Sequence, residues 1–149
     1  MEKRTGQDRH VSSARMVLGD DLNHHDTLFA GKASLYIVEC GFLAVQDFLQ
    51  TNHIVCLGLD GFRFLRSVHK GTMIDLKSTI VHAGTSSVGV YVEMDTFPDR
   101  KLAAEGFLSF VHINEADGSA VPHHVTLAAA DETTAALRSR YQIVLGKKS

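Results

Sequence analysis

The segment LFAGKASLYIVECGFLAVQDFLQ, Leu28 to Gln50, decides the architecture. It holds neither proline nor a run of turn residues, so it predicts one long helix. Asp26 or Thr27 stands ready as its N-cap. Apolar side chains occur nearly all round the helical wheel, which predicts burial on most sides rather than a surface position. The polar exceptions Lys32, Glu39 and Gln46 are seven residues apart and fall on one narrow stripe. Lys32, Glu39 and Asp47 interrupt the apolar run, so it does not read as a membrane span.

Outward from this helix the periodicity changes to two. Ile54 to Val68 reads as a strand with bends at Gly58 and Gly61. Met73 to Ala83 alternates, with Ile74, Leu76 and Ile80 on one face and Asp75, Lys77 and Thr79 on the other. Ser87 to Asp95 alternates again through Val88, Val90, Val92 and Met94. Ala83-Gly84-Thr85 and Phe97-Pro98-Asp99 are turns. Lys101 to Ile113 is a last long strand, ended by Asp117-Gly118. Asp131 caps a final helix whose inner face is Thr134, Leu137 and Tyr141. On the N-terminal side, Gly19 to Asp26 is loop chemistry, Ser12 to Leu18 a short first strand, and Met1 to Val11 a flexible tail. The pattern predicts an α+β fold. Four consecutive hairpin-linked strands form a meander, and with the first strand they make a five-stranded antiparallel sheet. That sheet is wrapped around the long central helix, with a C-terminal helix added.

The 149 residues suit one domain, expected over 12–149. Apolar residues make up 44%, enough for a core, and 15 Lys plus Arg against 17 Asp plus Glu give a formal charge of −2. That balance provides no general field for nucleic acid or an anionic membrane. The polar start lacks a signal-peptide core, so a cytoplasmic location is expected. Cys40 and Cys56 sit in apolar runs and read as reduced core thiols. No Cys or His set has zinc spacing. The pairs His24-His25 and His123-His124 are poor chelates without a third ligand nearby, so no metal is expected.

Four segments carry a resemblance. Asn23 to Gly31 is similar to an Asn-x-x-Gly loop that opens a long helix at Gly-Gly. Phe64-Leu65-Arg66-Ser67-Val68-His69-Lys70-Gly71-Thr72 is similar to Phe-x-Arg-Pro-Val-x-x-Gly-Asp. Val81-His82-Ala83-Gly84-Thr85-Ser86-Ser87 is similar to Val-x-x-Gly-x-(Ser/Thr)-Ser. Phe107 to Ile113 with Asp117-Gly118 is similar to a Phe-x-Phe-Val-x-Val strand and its turn. Together, over Ser12 to Val121, the chain resembles the acyl-CoA thioesterases of the hotdog fold. Asp26 stands where that family has Gly, Ala30 replaces the first Gly of the pair, and Ser67 the Pro. The family's helix carboxylate falls at Val38, and Glu39 is the next residue.

The resemblance implies hydrolysis of acyl-CoA thioesters, with coenzyme A entering only as part of the substrate. Glu39 is the candidate base or nucleophile. Its apolar neighbours would raise its pKa if it were buried; otherwise it is a solvated member of the polar stripe. Asn23 is the candidate for holding water or thioester, or else makes an Asx-turn. The amides at Ala30 and Gly31 are candidate oxyanion donors. Arg66, Lys70 and the turn Gly84, Thr85 and Ser86 are candidates for binding CoA. His25, 14 residues before Glu39, resembles the His of hotdog 3-hydroxyacyl thioester dehydratases, a second reading. A non-catalytic acyl-CoA binding module is a third, motivated by Val38. A sheet edge left open, as in the resembling family, implies an obligate homodimer within a tetramer or hexamer.

Overall fold

The computed structural model describes residues 2–146. Met1, the first residue of the expected tail, and 147–149, the last of the expected domain, lie outside them. The predicted helix forms as α1, Ala30–Leu49. Around it lie β2 (Ser12–Met16), β3 (Ile54–Phe64), β4 (Met73–Ala83), β5 (Ser87–Phe97) and β6 (Leu102–His112). All pairings in this five-stranded sheet are antiparallel, in the order β2-β4-β5-β6-β3. A second helix, α2, spans Glu132–Val144 and is capped by the Asp131 side chain, which accepts the Thr134 N–H at 2.7 Å.

The period-two segments behave as their side chains require. Val88, Val90, Val92 and Met94 of β5 are fully buried against α1, with Ile74, Leu76 and Ile80 of β4 beside them. Each such side chain removed from water contributes about 1.5–3 kcal/mol before chain entropy is counted. At Gly41 the helix lies tight against the sheet, since a Cβ there would meet Leu108 Cδ1 at 2.9 Å. On the other sheet face a smaller cluster joins Val81, Tyr91 and Phe107 to Tyr141 of α2. Leu137 and Val144 of α2 pack on it. Under that helix Glu105, only 1% exposed, accepts from Arg63 and Arg140, each at 2.7 Å, and from the Tyr91 hydroxyl at 2.8 Å. Burial pushes this carboxyl up, but the bonds from Arg140, Tyr91 and Arg63 outweigh it and hold the group below its ordinary range.

Four expectations are corrected. First, only β4, β5 and β6 form a meander; β3 does not pair with β4 but lies against β6 at the far edge. Alternation says which face a strand buries, not which strand it neighbours. Two register shifts, at Cys56/Gly58 and Asp60/Arg63, do bend β3 at its two glycines, and Gly61 takes φ +60°. Second, the N-terminal segment holds a strand that its sequence does not announce. Arg4–Gly6 forms β1, which pairs in parallel with β7, Val125–Leu127. Arg4 Nη2 donates to the Phe48 carbonyl at 3.0 Å, and Arg9 grips Asp47 with two bonds of 3.0 and 2.7 Å. Third, α1 starts later than predicted. Its N-cap is Phe29, which offers no side-chain cap, in place of Asp26 or Thr27. Fourth, only Cys40 is a core thiol, pushed up to about 11 by burial; Cys56 is exposed.

Candidate active site

Asn23 begins as a local device. Its Oδ1 accepts the backbone N–H of His25 at 2.8 Å and of Thr27 at 3.2 Å, the expected Asx-turn. The Asn23 amide donates to the Thr27 carbonyl at 2.8 Å, and Leu22 bridges Leu28 in antiparallel fashion. The loop is therefore a tight hairpin, with Asp26 at its tip in the left-handed region at φ +60°. That conformation explains why a glycine suits this place. Asn23 Nδ2 donates one hydrogen to Thr27 Oγ1 at 3.1 Å, and an amide has a second hydrogen to give.

The hairpin leads straight into α1. With no side-chain cap, the first helical amides, Ala30 and Gly31, have no acceptor behind them within the helix. The corrected path of β3 supplies the opposite wall. Because β3 lies at the far edge, the chain from Leu65 to Thr72 must cross the start of α1 to reach β4. It is tied there by Leu28 N–H to the Val68 carbonyl, 2.8 Å, and by a bridge between Thr27 and His69. A cavity of about 300 Å³ results, lined by Asn23, Thr27, Ala30, Phe64, Arg66 and Ser67 among others. Arg66 lies 4.0 Å from Asp99, whose carboxyl is held low by the Thr96 hydroxyl at 2.5 Å.

Three of the predicted residues thus meet: Asn23, Ala30 and Arg66. Gly31 adjoins them but does not line the cavity. A Cβ at Gly31 would collide with the Phe29 ring, so its small size serves that packing. His25 and Lys70 are exposed and outside the cavity; the His25 ring rests on His24 with centroids 3.9 Å apart. Glu39 lies nine residues along α1 from Ala30, about 13 Å at the helical rise. It is exposed on a strip with Leu35 (47% exposed) and Leu43 (51%), so the expected burial is absent in a single chain. Val38 is half-buried. Gly84, Thr85 and Ser86 form the β4–β5 turn, the length of β4 away, about 33 Å. Gly84 and Thr85 line a second cavity of about 440 Å³ with Lys3, His123, His124 and Thr126. Burial lowers the His123 pKa, and its ring is already engaged, by Ser87 O at 3.0 Å and by the Val125 N–H at 3.0 Å.

One buried acid beside the hairpin has no counterpart among the predicted residues. Asp21, 7% exposed, accepts the Leu18 N–H at 2.8 Å and the hydroxyl of Tyr36, itself 5% exposed. Burial pushes its carboxyl up, but Tyr36, the Leu18 amide and the charges of Lys32 and Arg15 together hold it low. In sequence Asp21 was one of several loop acids, and nothing there distinguished it. Among the described residues, no three His, Cys, Asp or Glu side chains gather as metal ligands would, and no helix is long and apolar enough to cross a membrane.

No protein-family model matches the chain. Over 125 residues it is 30% identical to the uncharacterised acyl-CoA thioester hydrolase YkhA of Bacillus subtilis (strain 168), covering 81% of this chain and 72% of that one. The chain belongs to the acyl-CoA thioester hydrolase family. Solved structures agree on the hotdog fold of this hydrolase family member. An acyl-CoA hydrolase from Staphylococcus aureus, in complex with butyryl coenzyme A, coenzyme A and coenzyme A disulfide, superposes with a TM-score of 0.80 at 23% identity, over 96% of this chain and 88% of that one. An apo-hexameric acyl-CoA thioesterase matches with a TM-score of 0.79 at 24% identity, over 98% and 94%.

Proposed function

We propose that the chain hydrolyses acyl-CoA thioesters to the free acid and CoA, in sites completed between two copies. The observation that carries this is the cavity at the start of α1, lined by Asn23, with its spare amide hydrogen, and by uncapped Ala30, with Gly31 adjoining. Donors in that arrangement suit an oxygen that gains negative charge. Glu39 and the Gly84–Ser86 turn lie too far away to serve this cavity in their own chain. Glu39 does lie on an apolar strip, and the unpaired edge of β3 exposes Val55 (39%) and Leu57 (66%). A second copy covering both surfaces would remove them from water, as sheet edges and apolar patches require. In this reading the partner supplies Glu39 and the turn, while Asn23, Ala30, Gly31 and Arg66 come from the first copy. The relative described as hexameric supports assembly of such dimers. A cytoplasmic location goes with this substrate.

The reaction then balances simply. The Glu39 carboxylate takes a proton from water, and the hydroxide oxygen attacks the thioester carbon. Ala30 and Gly31 hold the oxyanion. The carbon–sulfur bond breaks, and the CoA sulfur leaves with the proton returned by Glu39. Arg66 and Lys70 meet phosphate oxygens, and the turn amides and hydroxyls meet pantetheine or pyrophosphate.

A binding-only reading has one observation in its favour. In the Staphylococcus aureus hydrolase, the asparagine and the aspartate replaced by alanine in two variants lie fifteen residues apart. Fifteen residues beyond Asn23 is Val38, which has no acid–base chemistry. The test is an acyl-CoA panel in the presence of a thiol reagent. Release of free CoA supports hydrolysis; saturable binding without release moves the protein to the binding-only reading.

A further inference from the structure

The buried contact between Asp21 and Tyr36 belongs to neither the sheet nor the substrate cavity, yet it joins the two pieces that make the cavity. Several interactions converge on Asp21. Its Oδ2 accepts the Leu18 N–H and its Oδ1 the Tyr36 hydroxyl. Its backbone carbonyl accepts the Phe29 N–H at 2.8 Å, and Lys32 Nζ stands 4.0 Å from Oδ1. Phe29 precedes Ala30 directly, and Asn23 is two residues beyond Asp21. The Asp21–Phe29 bond therefore closes the base of the Asn23 hairpin. Tyr36, in the second turn of α1, fixes that base to the helix. Arg15 of β2 lies over the Tyr36 ring, 3.9 Å from its centre.

We propose that Asp21 and Tyr36 are positioning residues. Their contact sets the Asn23 side chain against the Ala30 and Gly31 amides so that all three address one thioester. The physical reason is leverage. Leu28 and Thr27 tie the hairpin to the Leu65–Thr72 crossing, and the bond that ties its base to the side of α1, one turn beyond the helix start, is the one from Tyr36 to Asp21. A group of donors acts together only when each is aimed at the same developing charge, and an error of an ångström is expensive. Deleting one hydroxyl therefore affects the chemical step more than the binding of CoA, because neither Asp21 nor Tyr36 bonds to Arg66 or Lys70. This rests on the thioester hydrolase reading above.

The test compares wild type, Tyr36→Phe and Asp21→Asn in the full chain. Tyr36→Phe removes only the hydroxyl. It should lower kcat about ten- to a hundredfold and leave KM for an acyl-CoA within about twofold. Asp21→Asn still has an oxygen and an N–H to meet Leu18 and Tyr36, and should recover most of kcat. A purely structural pair would lower Tm in Tyr36→Phe and leave kcat within about twofold of wild type; that result overturns the proposal. If wild type turns over no acyl-CoA, hydrolysis itself fails, and the positioning role is read from the amides instead. In 15N spectra of Tyr36→Phe the Asn23 side-chain signals should move and the Phe29 amide should exchange faster. Unchanged signals overturn it.

Discussion

Consider Glu39→Gln and Asn23→Ala co-expressed at equal levels. Alone, Glu39→Gln should lose about two orders of magnitude in turnover, the scale of a missing base. Asn23→Ala should lose about tenfold, because it orients rather than transfers a proton. Within one chain Glu39 lies about 13 Å along α1 from Ala30 and faces outward, beyond the reach of a glutamate side chain. If each site takes Asn23 from one copy and Glu39 from the other, a mixed dimer has one intact site and one doubly altered site. Random pairing makes about half of the dimers mixed, so about a quarter of all sites are intact. The mixture should therefore show about 25–30% of wild-type activity, against about 5% for the same two proteins purified separately and combined without exchange. The assay is CoA release by a thiol reagent on the co-purified complex, each variant carrying a different tag. Activity no higher than the average of the parents would refute a site shared between copies. Parents as slow as each other and as wild type would retire Glu39 altogether.

Three further outcomes follow from the same structure. Leu43→Asp places a charge on the exposed strip of α1 and should shift the protein toward monomer in analytical ultracentrifugation, with activity lost in parallel; an unchanged sedimentation coefficient would remove α1 from the interface. Glu105→Gln should lower unfolding stability at pH 7 by about 1–3 kcal/mol, discounted because Arg63 and Arg140 are each about half exposed. Since the Glu105 pKa is depressed in the fold, its contribution is present above the usual carboxylate pKa and disappears as pH falls through the depressed value. Urea midpoints of wild type and variant should therefore converge in acid. Asp26→Gly should be neutral or stabilise by up to about 1 kcal/mol, and Asp26→Val should cost about 1–2 kcal/mol, both read from Tm, because only the φ at the hairpin tip distinguishes them.

The sheet and helix were legible because burial on one face leaves a direct trace in sequence. Val88, Val90, Val92 and Met94 alternate, and all four are buried. The all-round apolar character of α1 was equally direct. Strand neighbours were not legible: nothing in Ile54 to Phe64 records whether it pairs with β4 or β6. Three-residue strands such as β1 and β7 are too short for any period to appear. At the site, Asn23 announced its Asx-turn through local spacing. The cavity depended on the Leu65 to Thr72 crossing, a consequence of strand order. Asp21 is defined by contacts with Leu18, Phe29 and Tyr36, and Glu39 by a surface that one chain does not cover. Such environments have no local signature.

The pairing of β1 with β7 has a consequence for how the molecule is made. The Thr126 hydroxyl bonds the Arg4 carbonyl across 122 residues of chain. During synthesis, Arg4 to Gly6 emerge long before Val125 to Leu127 and wait for them. Until then Arg4 has no neighbouring strand to hold it beside the Phe48 carbonyl, and the C-terminal turn of the central helix lacks that donor. Closing so long a loop is slow, because its entropy is spent before its contacts form. The helix and meander thus assemble with an open end, and the seal between the two distant segments comes after them.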